Sequence, residues 1–282
     1  MKRATSLRPS LNYAVTALIL SAFSLFVPFS HAAPDSDALT FWATSNENSM
    51  EAINHSHWQS LLDKYVIHNH PSGINRFSYA EVSDNDNDNL KLYLKQMQQL
   101  NPRNFNHAEQ KAYWINIYNA LTVTIILENY PVESITKLGE SFFSFGPWDD
   151  KVAEIEGQKL SLNDIEHRIL RPLFHDNRIH YAVNCASLSC PNLLPTAFTA
   201  DNTDSLLEQA AHQYVNHRRG VSFENSELKV SSIYHWYKDD FGGTDQTLIA
   251  HLISYADPPL AKQLTNYAGS IDHHYNWALN KP

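Results

Sequence analysis

The chain has 282 residues, 43% hydrophobic and 12% aromatic, with 13 Pro, 8 Gly and two Cys. That composition excludes collagen-like, low-complexity and disordered chains, and two cysteines exclude a Cys-rich zinc module or a disulfide-dense miniprotein. A formal charge of −9 argues against a general nucleic-acid binder, and neither G-x-G-x-x-G nor G-x-x-x-x-G-K-S/T occurs, so no dinucleotide or P-loop cradle is expected.

In chain order, Lys2, Arg3 and Arg8 precede an apolar run over 14–29, followed by Ser30-His31-Ala32. A basic start, an apolar stretch shorter than the ~20 residues of a spanning helix, and small residues at −3 and −1 together predict a secretory signal peptide. Cleavage is expected after Ala32, giving a periplasmic or secreted protein with no membrane span after processing. The leader takes three of the 21 basic residues and no acidic one, so the remainder balances 18 basic against 30 acidic residues, a net −12. Export also implies an oxidising compartment.

Residues 33–48 read as a polar, mobile lead-in. Trp58, Leu61, Leu62 and Tyr65 predict a first helix, and the acidic stretch 83–89 closes a segment 33–89. Leu90, Tyr93, Leu94, Met97 and Leu100 recur at helical spacing, ended by Asn101-Pro102. Asn106 with Glu109 marks the N-terminus of a helix to Glu128 that is apolar on nearly every face, hence buried. An aromatic loop over 142–148 and a hairpin over 152–160 with Gly157 in its turn come next. Ser161 caps a helix with Asp164 at N3 and Pro172 beyond its end. Residues 179–185 read as a strand, 201–219 as a helix closed by Gly220, and 221–223 with 228–230 as a hairpin. Helices near 244–255 and 258–264 follow, and the tail 270–279 reads as a late strand. The expectation is one α+β domain over 90–280, helix-dominant, with a small antiparallel sheet.

Four constellations can carry chemistry. The sharpest places His180, Asn184, Cys185 and Cys190 within a few residues of one another. A turn after Asn184, helped by Pro191, can bring Cys190 under the His180 imidazole and lower the thiol pKa. The same turn can join Cys185 to Cys190 as a disulfide, which an oxidising compartment favours, and both readings stay open. Second, Glu166 borders the inward face of its helix, where a half-buried carboxylate can orient an imidazole; its plainer role is a surface pair with Arg. Third, Asn116 and Asn119 sit three apart on the buried helix, either lining a site or tying loops to the core. Fourth, His55/His57, His68/His70 and His273/His274 are close pairs without the further ligands of a zinc site, so they read as solvated and no metal or cofactor is expected. Asp84, Asp86 and Asp88 mimic a calcium loop, but Asn89 stands at the turn glycine and Lys95 at the bidentate acid.

The segments AYWINIYNAL, LSLNDIEHRILRP, RIHYAVNCASLSCPNL, SIYHWYKDDF and YNWALN resemble, in that order, the DUF547 domain, a family of unknown function. Tyr275-Asn276-Trp277 departs from the family's usual Tyr-Asp-Trp, which speaks against an acidic role at 276. The resemblance implies a fold similar to papain- and transglutaminase-like cysteine hydrolases, with His180 matching the catalytic histidine. The helix that would carry the nucleophile in such folds has no Cys here. Two expectations follow. One is a hydrolase or acyl-transferase acting on amide or thioester bonds, with Cys190 as nucleophile, or Cys185 in its place, His180 as base and Glu166 as orienting acid. Asn116 or Asn184 would serve the oxyanion, and Trp148 with Phe142, Phe143 and Phe145 would line the cleft. The other is a non-catalytic cell-envelope module that holds a peptide, glycan or protein partner, with a Cys185–Cys190 disulfide.

Overall fold

The computed structural model describes Met1, residues 37–139 and residues 145–282. The expected signal peptide and the aromatics Phe142 and Phe143 lie outside the described residues. A helix and a short antiparallel strand pair open the fold. Helix α1 (Ser56–Tyr65) runs into strand β1 (Val66–Ile67), which pairs with β2 (Arg76–Phe77). Helix α2 (Asp84–Gln99) starts inside the acidic stretch rather than after it. Ser83 Oγ accepts from the Asp86 N–H at 3.2 Å, and Asp84 and Asp86 in the first turn suit the positive end of the helix. The lead-in is ordered where the structure describes it. Trp42 is 2% exposed and packs edge-on against Trp114 at 5.1 Å, a burial that outweighs the polar character of its neighbours.

Helix α3 (His107–Glu128) is the centre of the molecule. Trp114, Ile115, Asn116 and Ile117 are consecutive and all buried, so every face of the helix meets protein. Asn106 Oδ1 caps it by accepting from the Glu109 N–H at 2.9 Å, while the Glu109 carboxylate turns to the Ile53 N–H at 3.2 Å. Strands β3 (Ala153–Ile155) and β4 (Gln158–Leu160) form the predicted hairpin. Its two turn residues, Glu156 and Gly157, both have positive φ, the type I′ geometry that a two-residue hairpin favours.

Ser161 and Asp164 exchange hydrogen bonds as a reciprocal cap: Ser161 Oγ accepts from the Asp164 N–H at 3.1 Å and Asp164 Oδ2 from the Ser161 N–H at 2.9 Å. The helix beyond is π-helical over Asp164–Leu170 and continues as α4 (Arg171–Phe174), so Pro172 lies within it, in the first turn of α4. The π turn removes the i−4 hydrogen bond that a proline would otherwise break. Residues 179–185 are not a strand. Asn177–Tyr181 form a 3-10 helix capped by Asp176, and the chain then bends irregularly to Cys190. Apolar residues at alternate positions here face a buried niche, not a sheet.

Helix α5 (Thr203–Val215) ends four residues before the expected terminus. A Cβ on Gly220 would lie 2.0 Å from the Tyr214 carbonyl oxygen, so this glycine serves close backbone approach rather than a left-handed cap. Strands β5 (Val221–Glu224) and β6 (Glu227–Ser231) pair antiparallel. Helices α6 (Ile233–Trp236), α7 (Asp245–Tyr255) and α8 (Pro258–Thr265) then form the crossover that brings β7 (Ile271–His274) alongside β6 in parallel, with Leu228 opposite Ile271. The described residues 37–139 and 145–282 thus form an α+β, helix-dominant domain whose strands fall into three small sheets. Among the described residues, no helix is long and apolar enough to cross a membrane.

Candidate functional site

The π-helical turn and the 3-10 helix bring Glu166 and His180 together, as the sequence pattern predicts. His180 Nδ1 lies 3.7 Å from Glu166 Oε1, and both residues are buried. The second partner of His180 comes from sixty residues downstream. Its Nε2–H donates to Asp240 Oδ2 at 2.7 Å, and Asp240 is in turn held by Arg171 Nε at 2.6 Å and Arg171 Nη2 at 3.0 Å. Tyr237 stacks on the imidazole at 4.2 Å and 13°. Burial disfavours a charged His180, but the hydrogen bond to Asp240 and the negative charge of Asp240 and nearby Glu166 outweigh it and raise the imidazole pKa. The same contacts, with His167 and Tyr118, overcome burial at Glu166 and hold its carboxyl at about 2. His167 goes the other way: burial drops it to about 4. The cluster is therefore a buried imidazole between two carboxylates, closed by an arginine. Glu166 pairs with histidine rather than with a surface Arg.

Beside Arg171 and Asp240 opens a polar cleft of about 620 Å³, with Asn177 and Arg178 on its wall. The acid that completes the cluster sits in the segment SIYHWYKDDF. That segment is visible in the sequence as a motif, but nothing in its spacing ties Asp240 to His180.

The cysteine loop is built by side-chain ties. Asn184 Nδ2 donates to the Pro191 carbonyl at 2.7 Å and Asn184 Oδ1 accepts from the Ala186 N–H at 2.9 Å, so one amide clasps both ends of the loop. Ala186 takes a left-handed φ of 58°, and Cys190 N–H closes the turn on the Ser187 carbonyl at 3.2 Å. The tail pins the loop from outside, through Leu188 N–H to Ala278 O at 2.8 Å and Asn276 N–H to Ser189 Oγ at 2.7 Å. The two sulfurs stand 2.6 Å apart, and the Cys185 N–H points at Cys190 Sγ at 2.8 Å. No disulfide joins the two in this structure. Cys185 is half-buried, with Tyr275 Oη at 3.1 Å and Ser187 Oγ at 3.2 Å from its sulfur; Cys190 is buried. Burial opposes a thiolate at both. At Cys185 the hydrogen bonds from Cys190, Ser187 and Tyr275 prevail and lower the thiol pKa, whereas burial and the neighbouring Cys185 push Cys190 well up.

The bend therefore turns each thiol toward the other. Among the described residues, neither sulfur has a hydrogen bond to an imidazole. The two clusters still share neighbours: Tyr118 and Tyr237 each feel charge on Glu166 and on both cysteines.

Next to Cys185 lies a feature that sequence reasoning half found. Tyr275, whose hydroxyl touches the Cys185 sulfur, packs against Trp277 at 4.5 Å and Trp236 at 4.8 Å. Trp277 in turn meets Trp148 at 6.2 Å and the exposed Phe145 at 5.4 Å. These five rings form one partly exposed platform. Trp148 and Phe145 were expected to line a cleft; Trp236, Tyr275 and Trp277 join them from the other end of the chain.

The remaining amides are fully engaged. Asn116 donates to the Phe198 carbonyl at 2.7 Å and accepts from the Phe198 N–H at 3.0 Å. Asn119 donates to the Ala182 carbonyl at 2.9 Å and accepts from the Asn184 N–H at 2.8 Å. Of the histidine pairs, His55 is buried rather than solvated and bonds Tyr93 through Nδ1 at 2.7 Å. Among the described residues, no group of three or more His, Cys, Asp or Glu is placed to hold a metal ion.

Residues 102–215 match the family described as "Protein of unknown function, DUF547". No curated protein and no solved structure matches the chain. The matched segment contains α3, the π turn with Glu166, His180 and both cysteines, and ends before Asp240 and Tyr275. Over residues 102–215 the chain is thus similar to the DUF547 family.

Proposed function

We propose that the chain is an exported, cell-envelope binding module whose contact surface is the aromatic platform of Trp148, Trp236, Tyr275, Trp277 and Phe145. The observation that carries this reading is the platform itself, five rings in contact and open to solvent in part, gathered from three distant segments. Partly exposed aromatic clusters of this kind mark binding sites. The rings are tilted against one another, 49° for Trp148–Trp277, 50° for Tyr275–Trp277 and 86° for Phe145–Trp277. Tilted rings leave slots between them, which suit the side chains of an extended, proline-rich or apolar peptide better than the flat face of a sugar. The ligand is therefore a peptide segment of an envelope protein. The Cys185–Cys190 pair sits in the loop that Tyr275 leans on. Tryptophan fluorescence during titration with proline-rich and apolar peptides, and separately with soluble peptidoglycan fragments, tests this. Saturable quenching by peptides that Trp277→Ala abolishes supports it; quenching by the glycan fragments alone overturns the peptide assignment.

A second reading, a cysteine-dependent hydrolase or acyl-transferase on amide or thioester bonds, is favoured by one specific observation. Cys185 is half-exposed, its thiol pKa is lowered, and it shares Tyr118 and Tyr237 with the Glu166–His180 pair. In that reading Cys185 rather than Cys190 is the nucleophile, with Tyr275 and Ser187 as its hydrogen-bond partners. Labelling by iodoacetamide at pH 6 tests it: modification of Cys185 that slows in His180→Ala supports catalysis, and modification indifferent to His180 opposes it.

A further inference from the structure

We infer that Cys185 and Cys190 form a working thiol–disulfide exchange pair, in which Cys185 exchanges with a disulfide of a peptide partner and Cys190 resolves the mixed disulfide. This goes beyond the binding reading, in which the pair only sits in a loop, and it needs the sulfur geometry alone.

Three observations carry it. The sulfurs are 2.6 Å apart, so the second step of exchange has its two atoms already in place. They are unequal: Cys185 is half-buried, whereas Cys190 is 4% exposed and lies behind it, its sulfur under the Cys185 N–H. An incoming disulfide therefore meets Cys185 first. Finally, the backbone around the pair is held independently of the sulfurs, by the Asn184 clasp to Pro191 and Ala186 and by the tail contacts at Leu188 and Ser189. The loop can pass between dithiol and disulfide without rebuilding itself. The hydroxyls of Tyr275 and Ser187 support the attacking thiolate, and the platform that Tyr275 belongs to gives the peptide a place to lie.

The step balances as follows. The Cys185 thiolate attacks one sulfur of the partner disulfide; a Cys185–partner bond forms, and the other partner sulfur leaves as a thiolate that takes a proton. Cys190, losing its proton to solvent, then attacks Cys185 Sγ. The Cys185–Cys190 bond forms and the second partner thiol is released. The pair loses two electrons and two protons, and the partner disulfide gains them. The reverse sequence oxidises a partner dithiol.

The test uses the full mature chain and glutathione as probe. Reduced protein is mixed with oxidised glutathione, quenched in acid, alkylated and weighed intact. The wild type is expected to become oxidised at 185 and 190, and to be reduced again by excess reduced glutathione while still folded by circular dichroism. Cys190→Ser is expected to accumulate a glutathione adduct at Cys185, at least tenfold faster than Cys185→Ser accumulates one at Cys190. A wild-type bridge that yields to glutathione only after unfolding overturns the inference and leaves the binding reading standing. Equal rates in the two variants also overturn it. If either variant fails to fold, the wild-type titration decides. In Tyr275→Phe, the pH profile of the exchange rate should move to higher pH, a shift that a merely structural tyrosine would not produce.

Discussion

His180 donates to Asp240 at 2.7 Å while its opposite nitrogen faces Glu166 at 3.7 Å, so a buried imidazole sits between two carboxylates. A ring held that way is an anchor more than a base, since its proton is the one both acids stabilise. Asp240 also ties α4 to the 3-10 helix through Arg171. Asp240→Asn is expected to cost about 3 kcal/mol, the usual penalty for breaking a partly buried ion pair and leaving its partners uncompensated. Urea unfolding of the variant against wild type measures it; a loss below about 1 kcal/mol would mean the cluster is not structural.

The pH dependence of stability follows from opposing histidines. Burial lowers His55, His167 and His251 to about 4, so each is neutral in the fold and takes up a proton on unfolding between about pH 6.5 and 4. Each therefore removes stability as the pH falls through that window. His180 has the opposite sign. Its raised pKa contributes stability that is fully present below about 6.5 and lost as pH rises through the folded value. The His180 share is constant below 6.5, so the three depressed histidines predict a Tm that declines from pH 6.5 to 4, and below about 4.5 the loss of the Glu166 contribution adds to the decline. His55→Gln should flatten part of the slope. A Tm that rises across that range would contradict the assignment.

Asn119 holds the segment between His180 and Cys185 to the central helix by two hydrogen bonds, at 2.9 and 2.8 Å. Asn119→Ala strands a buried carbonyl and a buried N–H, for a combined loss of about 2–4 kcal/mol. Asn119→Asp keeps the acceptor for the Asn184 N–H but buries an unpaired carboxylate against the Ala182 carbonyl, and should cost more than Ala. Thermal melts of the two variants order them; equal stability with wild type would free Asn119 for a role at a ligand.

On the platform, Trp277 touches Phe145, Trp148, Trp236 and Tyr275. Trp277→Ala should weaken peptide binding about tenfold or more, whereas Phe145→Ala at the exposed rim should cost a few-fold. Fluorescence or calorimetric titration separates the two, and the reverse order would move the binding centre to the loop side.

Local signals were legible where the chemistry is local. The Asn106 cap, the all-round apolar helix from 107, the Ser161–Asp164 box, both hairpins and the Thr244 start of α7 follow from short-range pattern and formed as expected. The failures arise where tertiary burial decides. Residues 177–181 carry strand-like residues yet coil as a 3-10 helix, because Asp176 caps them and Asn119 claims the backbone just beyond. At the site, Glu166 next to His180 was readable from an inward helix face. Asp240, Tyr275 and the ring contacts of Trp236 and Trp277 were not, since they come from segments distant in sequence and no local period announces such a meeting. The direction of the Cys190 thiol depended on Asn184, whose amide closes the loop so that sulfur meets sulfur.

The central claim is that Cys190 is the partner of Cys185 and not of His180. Alkylation of the purified mature protein under denaturing conditions, before and after reduction, tests it most directly when read by intact mass. Protein purified without reductant should resist alkylation at both cysteines until reduced, and the reduced, refolded protein should alkylate at Cys185 ahead of Cys190. A Cys190 thiol that is free in the unreduced protein, and whose reactivity in the native fold falls in His180→Ala, would contradict the account.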